Sequence, residues 1–210
     1  VTLNNKTAGS AIDLDEVEVV GFETVTINST GTDSATTVVK NKVDQIDGGA
    51  SDKTLIIAGD KYLTVDDGSA AGIDNTWSVV TVTNTAGVDL TIDAGTAISV
   101  TGGSADDRIE IDTVADVTAA DKFDGGGGVN TLAISQLVGT DFTAAQLAVI
   151  SNFQVLEYEG AQTIASTATI DATKLGVTKV WLNGAINTDL SDGESVTINA
   201  QSGFTLDMGA

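Results

Sequence analysis

The sequence predicts an all-β fold, a parallel β-solenoid or β-helix-like coil with glycine- and aspartate-rich turns, on three observations. Two such turns, at residues 102–110 and 125–133, each lead straight into a short apolar strand. They stand 125 − 102 = 23 residues apart, too long for a compact roll of nine residues per strand and near one coil of a wider β-helix. A strand phrase also recurs along the chain, and between Val38 and Ile111 short β-branched runs follow one another every ten residues or so, as all-β architectures require. The same runs allow one or two β-sandwiches, whose strands would pair mainly as antiparallel hairpins.

The first phrase, VEVVGFETVTIN at 17–28, sets Phe22, Val25 and Ile27 in strand-like alternation. It returns as ISNFQVLEYE at 150–159 and LGVTKVWLNG at 175–184, aligning Phe153, Leu156 and Tyr158 with Val177, Val180 and Leu182. Between 38 and 111 the runs TTVVKN, KTLIIAG, KYLTVDD, TWSVVTVTN, VDLTIDA, AISVTG and DRIEIDT read as strands, and Gly, Asp and Asn punctuate them because proline is absent. TAAQLAVIS at 143–151 and DATKLG at 171–176 have helical spacing or composition. Thr143 is placed to cap the first and Gly176 to end the second. From 185 onward the alternation continues, with Val196, Ile198, Phe204 and Leu206 expected inward. The whole reads as a single β-rich region, 1–210, of a longer protein, with a subdivision allowed near 136–142 that would separate 1–135 from 143–210.

Composition narrows the function classes. Nine basic against 30 acidic residues give a net charge of 9 − 30 = −21, which disfavours nucleic acid and anionic membranes as partners and favours cations. Such charge often accompanies disorder, but 41% of the residues are hydrophobic, and regularly alternated, so the chain is expected to fold. There is no Cys and no His, which removes disulfides, thiolate metal sites and the usual nucleophilic dyads and triads. No apolar stretch reaches membrane-spanning length, so membrane insertion is not expected.

The two turns carry the most specific signal. Set against the calcium-binding nonapeptide G-G-x-G-x-D-x-U-x, Gly102-Gly103-Ser104-Ala105-Asp106-Asp107-Arg108-Ile109-Glu110 matches with Ala105 in place of a glycine. Gly125-Gly126-Gly127-Gly128-Val129-Asn130-Thr131-Leu132-Ala133 matches with Asn130 in place of the aspartate. Adjacent glycines free the backbone to turn carbonyl oxygens towards a hard cation, the Asp or Asn adds a side-chain oxygen, and Ile109 and Leu132 are placed to bury inward. Glycine and aspartate are also favoured in turns for purely local reasons. A third copy, Asp47-Gly48-Gly49-Ala50-Ser51-Asp52-Lys53-Thr54-Leu55, has Lys53 where the aspartate belongs and is assigned no metal.

Other chemistry is thinly supported. General acid–base work would fall to carboxylates, Lys or Tyr, and the acidic residues read as a solvated face. Arg108, the one arginine, is the candidate basic residue for a calcium-assisted polysaccharide lyase, with charge balance in an acidic turn as the simpler account. Trp77, Trp181, Tyr62 and Tyr158 lie in alternating strands and read as packing before they read as sugar-stacking platforms. No enzymatic activity is expected.

Ala119-Ala120-Asp121, then Phe123-Asp124-Gly125-Gly126-Gly127-Gly128-Val129-Asn130-Thr131-Leu132, resembles the Asp-x-hydrophobic-Asp-Gly-Gly-x-Gly-x-Asp-Thr-Leu phrase of bacterial surface-layer proteins related to the RTX (repeats-in-toxin) group. VGFETVTIN and ISNFQVLEYEG are similar to the Asn-Phe-Glu-x-Leu strands of the same proteins. The resemblance implies type I secretion, an extracellular, cell-surface location and calcium-dependent assembly of copies of the chain into a two-dimensional lattice. Cell-surface polysaccharide would be held through another part of the protein. It further implies that Asp107 and Asn130 offer side-chain ligands, and Gly102, Ser104, Gly125 and Gly127 carbonyls, with Asp106, Asp121 and Asp124 among the metal residues. An adhesin or carbohydrate-binding region of a secreted RTX protein is the alternative.

Overall fold

A computed structural model describes residues 1–50, 53–66, 72–93, 97–135, 142–159, 167–183, 195–199, 202 and 205–207. The odd-numbered strands β1 (Thr2–Asn5), β3 (Thr24–Gly31), β5 (Thr54–Gly59), β7 (Val79–Val82), β9 (Ser99–Thr101), β11 (Lys122–Asp124) and β13 (Ile150–Ser151) form one sheet of seven strands, sheet A. The even-numbered strands β2 (Asp13–Val19), β4 (Lys40–Gly48), β6 (Tyr62–Val65), β8 (Val88–Ile92), β10 (Arg108–Ile111), β12 (Thr131–Ile134), β14 (Val155–Glu159), β16 (Lys179–Asn183) and β18 (Thr205–Asp207) form a second of nine, sheet B. A pair, β15 (Thr167–Asp171) and β17 (Ser195–Asn199), stands apart from both. Every strand pairing among the described residues is parallel, and chain neighbours alternate between sheets, so each circuit adds one strand to each. The chain is a parallel β-solenoid, and the sandwich alternative with its antiparallel hairpins is set aside.

Stacking by register explains why the apolar alternation is so regular. In sheet B one inward column runs Val43, Val65, Leu90, Ile109, Leu132, Leu156, Val180. A second runs Ile46, Ile73, Ile92, Ile111, Ile134, Tyr158, with Ile73 joined by isolated bridges rather than by a strand. Sheet A answers with Val25, Leu55, Val80, Val100 and Phe123. All of these are buried, and each fully buried aliphatic contributes about 1.5–3 kcal/mol by leaving water. β-Branched residues suit this role because their stiff side chains stack on identical neighbours at the strand spacing. Trp77 closes the core between the sheets, wholly buried, its Nε1 donating to the Ile46 carbonyl at 3.2 Å.

Several expectations meet the structure at single residues. Arg108 pairs with Thr131 and Ile109 with Leu132, so the 23-residue interval is one coil. Thr143 caps helix α1 (Ala144–Leu147), accepting from the Gln146 N–H, and Gly176, at φ +72°, follows helix α2 (Ala172–Leu175). Leu156 and Tyr158 pair in register with Val180 and Leu182 as the repeated phrase requires. The first copy of that phrase, however, supplies β3 of sheet A rather than a strand of sheet B, and Phe22 lies before the strand and is exposed. Leu206 is also exposed rather than inward, because β18 is the last strand of sheet B and pairs on one side only. Residues 136–141, Phe204 and the side chains of Val196 and Ile198 lie outside the described residues.

Candidate functional site in the stacked glycine and aspartate turns

The turn after β9 and the turn after β11 lie one above the other, a coil apart, and the glycines are what let them do so. A Cβ on Gly102 would sit 2.2 Å from the Gly125 carbonyl oxygen, and one on Gly125 2.3 Å from that of Asn152. Gly126, at φ +76°, faces the Gly103 carbonyl at 2.4 Å in the same way, and the backbone is joined there by Gly127 N–H donating to Gly103 O at 2.8 Å. Close approach of backbone to backbone, three coils deep, therefore requires glycine at these positions.

The polar side chains complete the stack. Asp107 is buried and accepts from two backbone amides, Val88 N–H at 3.1 Å through Oδ1 and Gly103 N–H at 2.5 Å through Oδ2. Asn130, also buried, accepts from Asp107 N–H at 3.0 Å and donates its Nδ2 to the Asn152 carbonyl at 3.1 Å. One coil further, Gln154 Oε1 accepts from Asn130 N–H at 2.8 Å. Towards the N-terminus Asn41 does the same for Ile12 N–H at 2.8 Å. The result, at Ile12, Val88, Asp107 and Asn130, is a ladder in which a side chain of one coil takes the N–H that would be orphaned where the previous coil enters sheet B.

The remaining predicted residues are spent in related ways. Asp106, exposed, accepts from Val129 N–H of the next coil at 2.7 Å. Asp124 Oδ1 accepts from Gly126 N–H at 3.0 Å and Asn152 Nδ2 at 2.7 Å. Asp121 lies away from both turns, before β11, buried, with Oδ1 on Ile98 N–H and Oδ2 on the Thr118 N–H and hydroxyl. Ser104 and Gly127 are exposed at the turn tips. Electrostatics separate the two turn carboxylates. Burial holds Asp107 above the ordinary carboxylate range despite its N–H partners, whereas the Asn152 and Gly126 hydrogen bonds and Lys122 hold Asp124 below it.

A Ca²⁺ ion takes six to eight converging oxygens. Here the side-chain oxygens of Asp107, Asn130 and Asp121 each accept from an N–H. What the turns assemble is a hydrogen-bonded seam between coils.

Arg108 leaves the turn and points outward from sheet B into a ring of carboxylates. Nη1 meets Asp89 at 2.8 Å and Glu110 at 2.7 Å, Nε meets Glu157 at 2.8 Å, and Nη2 meets Glu159 at 2.9 Å. Burial opposes its charge, yet Asp89 and Glu157 outweigh that and hold the guanidinium above its usual value, so it is a fixed cation rather than a base. Asp89 and Glu159 are themselves raised, mainly by burial. Of the aromatics, Trp77 and Tyr158 are core, while burial pushes the Tyr62 phenol up to about 12. Trp181 is half-buried with Lys179 over its ring at 5.0 Å.

Sequence reasoning misses Asn41, Asn152 and Gln154, although Asp107, Asn130 and Gln154 recur at 23 and 24 residues (130 − 107, 154 − 130), each one residue before a strand of sheet B. The partners of Arg108 carry no local signal, since Glu157 is 49 residues away and meets it only through the register. Among the described residues no helix is long and apolar enough to cross a membrane. No protein-family model, no curated protein and no solved structure matches the chain.

Proposed function

We propose that this chain is a structural module of a calcium-dependent bacterial surface layer, an extracellular scaffold whose copies assemble into a lattice on the cell surface. The observation that supports a structural role is the use made of the turn residues. Asp107, Asn130, Asp106 and the glycines around them are consumed in joining coil to coil, which is what a load-carrying solenoid needs from its turns. The resemblance to RTX-related surface-layer proteins supplies the setting, secretion and the lattice. In this reading calcium acts on assembly, by binding to and neutralising carboxylates of copies that each carry −21 and so lowering the repulsion between them.

The test is particle size by light scattering, with electron microscopy of the products, across a calcium titration and a sodium chloride control of equal ionic strength. Growth in calcium beyond the control, reversed by chelator, is expected. Equal behaviour in both salts overturns the calcium-dependent assembly.

One observation keeps the adhesin reading alive as a second proposal. Trp181 occupies an outward position of sheet B, beyond the buried Glu157 in register, and retains accessible ring surface. Glycan-array binding abolished by Trp181→Ala would support it, and an array without Trp181-dependent signal would remove it.

A further inference from the structure

The two sheets differ sharply in what they present outward. Sheet B places charged residues on its outer side in four of its strands, Lys42 and Asp44 on β4, Asp89 on β8, Arg108 and the buried Glu110 on β10, and the buried Glu157 on β14. On sheet A, the outward positions of β3, β5, β7 and β9 are Thr24, Thr26 and Asn28, then Thr54, Ile56 and Ala58, then Val79 and Thr81, then Ser99 and Thr101. β1 adds Thr2 and Asn4, paired with Asn28 and Thr30. Not one of these is charged, in a chain with 9 + 30 = 39 charged residues. Glu23 and Lys53 lie at the rim, one residue before β3 and β5, and charge returns on the face only at Lys122 and Asp124 of β11.

We infer that the outer face of sheet A, across β1 to β9, is the surface through which a second copy of this chain docks, sheet against sheet. This rests on the self-assembly reading above and names the face that performs it. Two bodies of charge −21 repel wherever carboxylates are brought together, and like charges placed face to face cost several kcal/mol. A second copy can therefore approach closely only where carboxylates are missing, and sheet A offers that surface.

Its chemistry suits the same occupant. The side chains are short and mostly β-branched, able to interdigitate at the roughly 10 Å spacing of packed sheets. Among the described residues the hydroxyls of Thr24, Thr26, Thr54, Thr81, Ser99 and Thr101 make no hydrogen bond within the chain, so they remain to pair with the same hydroxyls opposite. Size decides how strong the contact is. Five strands at about 4.8 Å, each showing about 15 Å of length, give on the order of 300 Å² per copy, well short of the roughly 800 Å² per partner of a stable complex. A single contact is weak, and its strength comes from repetition in an array.

The experiment compares self-association of the wild-type chain by sedimentation, with and without calcium, with that of Thr26→Asp/Thr81→Asp on sheet A and Thr64→Asp on sheet B. All three positions point outward, and circular dichroism checks that each variant folds. The expected result is association of the wild type and of Thr64→Asp, weakened at least about tenfold in the sheet A variant by the facing charges. Association undiminished in the sheet A variant overturns the assigned face and leaves self-assembly standing. A wild type that stays monomeric in every condition overturns the self-assembly reading and this inference with it. Because the chain has no cysteine, oxidation of Thr81→Cys and Thr64→Cys gives a second measurement that adds no charge. Faster dimer formation through position 81 is expected, and equal rates at the two positions count against the face.

Discussion

Asp107 carries the motif's signature and links its coil to those on either side. Its two oxygens take the N–H groups of Val88 and Gly103, and its own N–H goes to Asn130. Removing it by Asp107→Ala leaves two buried amides without acceptors, at about 1–3 kcal/mol each. Asn130→Ala orphans the Asp107 amide and the Asn152 carbonyl, at a similar cost. Urea melts should show both losses, and show them equally in calcium and in chelator. A loss confined to calcium-containing buffer would mean the side chains serve an ion. Arg108→Gln should cost about 3–5 kcal/mol, because the buried Glu157 would lose the cation that compensates it. The identity of the turn residues is legible in the sequence because Gly-Gly-x-x-x-Asp has few uses. Their partners are not, since a repeat motif names the accepting oxygens, but apart from Gly103 N–H in the same turn the N–H groups in the ladder belong to other coils, 19 to 24 residues away.

At the scale of the strand, the buried columns and the outward columns should respond to the same substitution differently. Ile111→Ala opens a cavity in a column of stacked isoleucines and should cost about 2–5 kcal/mol. Ile56→Ala, on the outer face of sheet A, should stay within about 0.5 kcal/mol. Thermal denaturation of the two variants against wild type measures the contrast, and equal losses would contradict the assigned register. The register itself is partly readable in advance. The interval of 23 residues between the turns is one coil because both turns enter the same sheet, and the apolar residue two places on falls in the same column. The phrase at 17–28 has the same alternation as that at 150–159 yet joins the other sheet. A period of two marks a strand with one buried face, and both sheets of this solenoid have one, so alternation cannot say which sheet receives it.

For the molecule as a whole, the excess of carboxylate sets how stability responds to pH and to ions. Where a shift is resolved, more carboxyls are raised than lowered: Asp74, Asp89, Asp107, Asp112 and Glu159, chiefly by burial, against Asp33 and Asp124. A raised carboxyl binds its proton more tightly when folded, so its contribution is fully present below the unfolded value of 3.8 for Asp or 4.5 for Glu and is lost as pH rises through the folded value. The melting temperature should therefore rise as pH is lowered from neutrality towards the carboxylate range. It should turn over only when Asp33 and Asp124, whose contributions are lost as pH falls through their depressed values, become protonated. A melting temperature that falls steadily from neutrality would contradict the sign. Legibility at this scale is uneven for a physical reason. Net charge and periodicity are sums over the chain and survive in the sequence, whereas an uncharged face emerges only when register sets Thr26, Ile56, Thr81 and Thr101 in one row. The central claim is that the solenoid closes its own turns with Asp107, Asn130 and Gln154. Far-ultraviolet circular dichroism melting of the whole chain in chelator and in calcium, with ionic strength matched, tests it most directly. The account predicts a cooperative β-sheet transition in chelator, at a temperature close to that in calcium. A chain that is unfolded in chelator and folds only when calcium is added would contradict it.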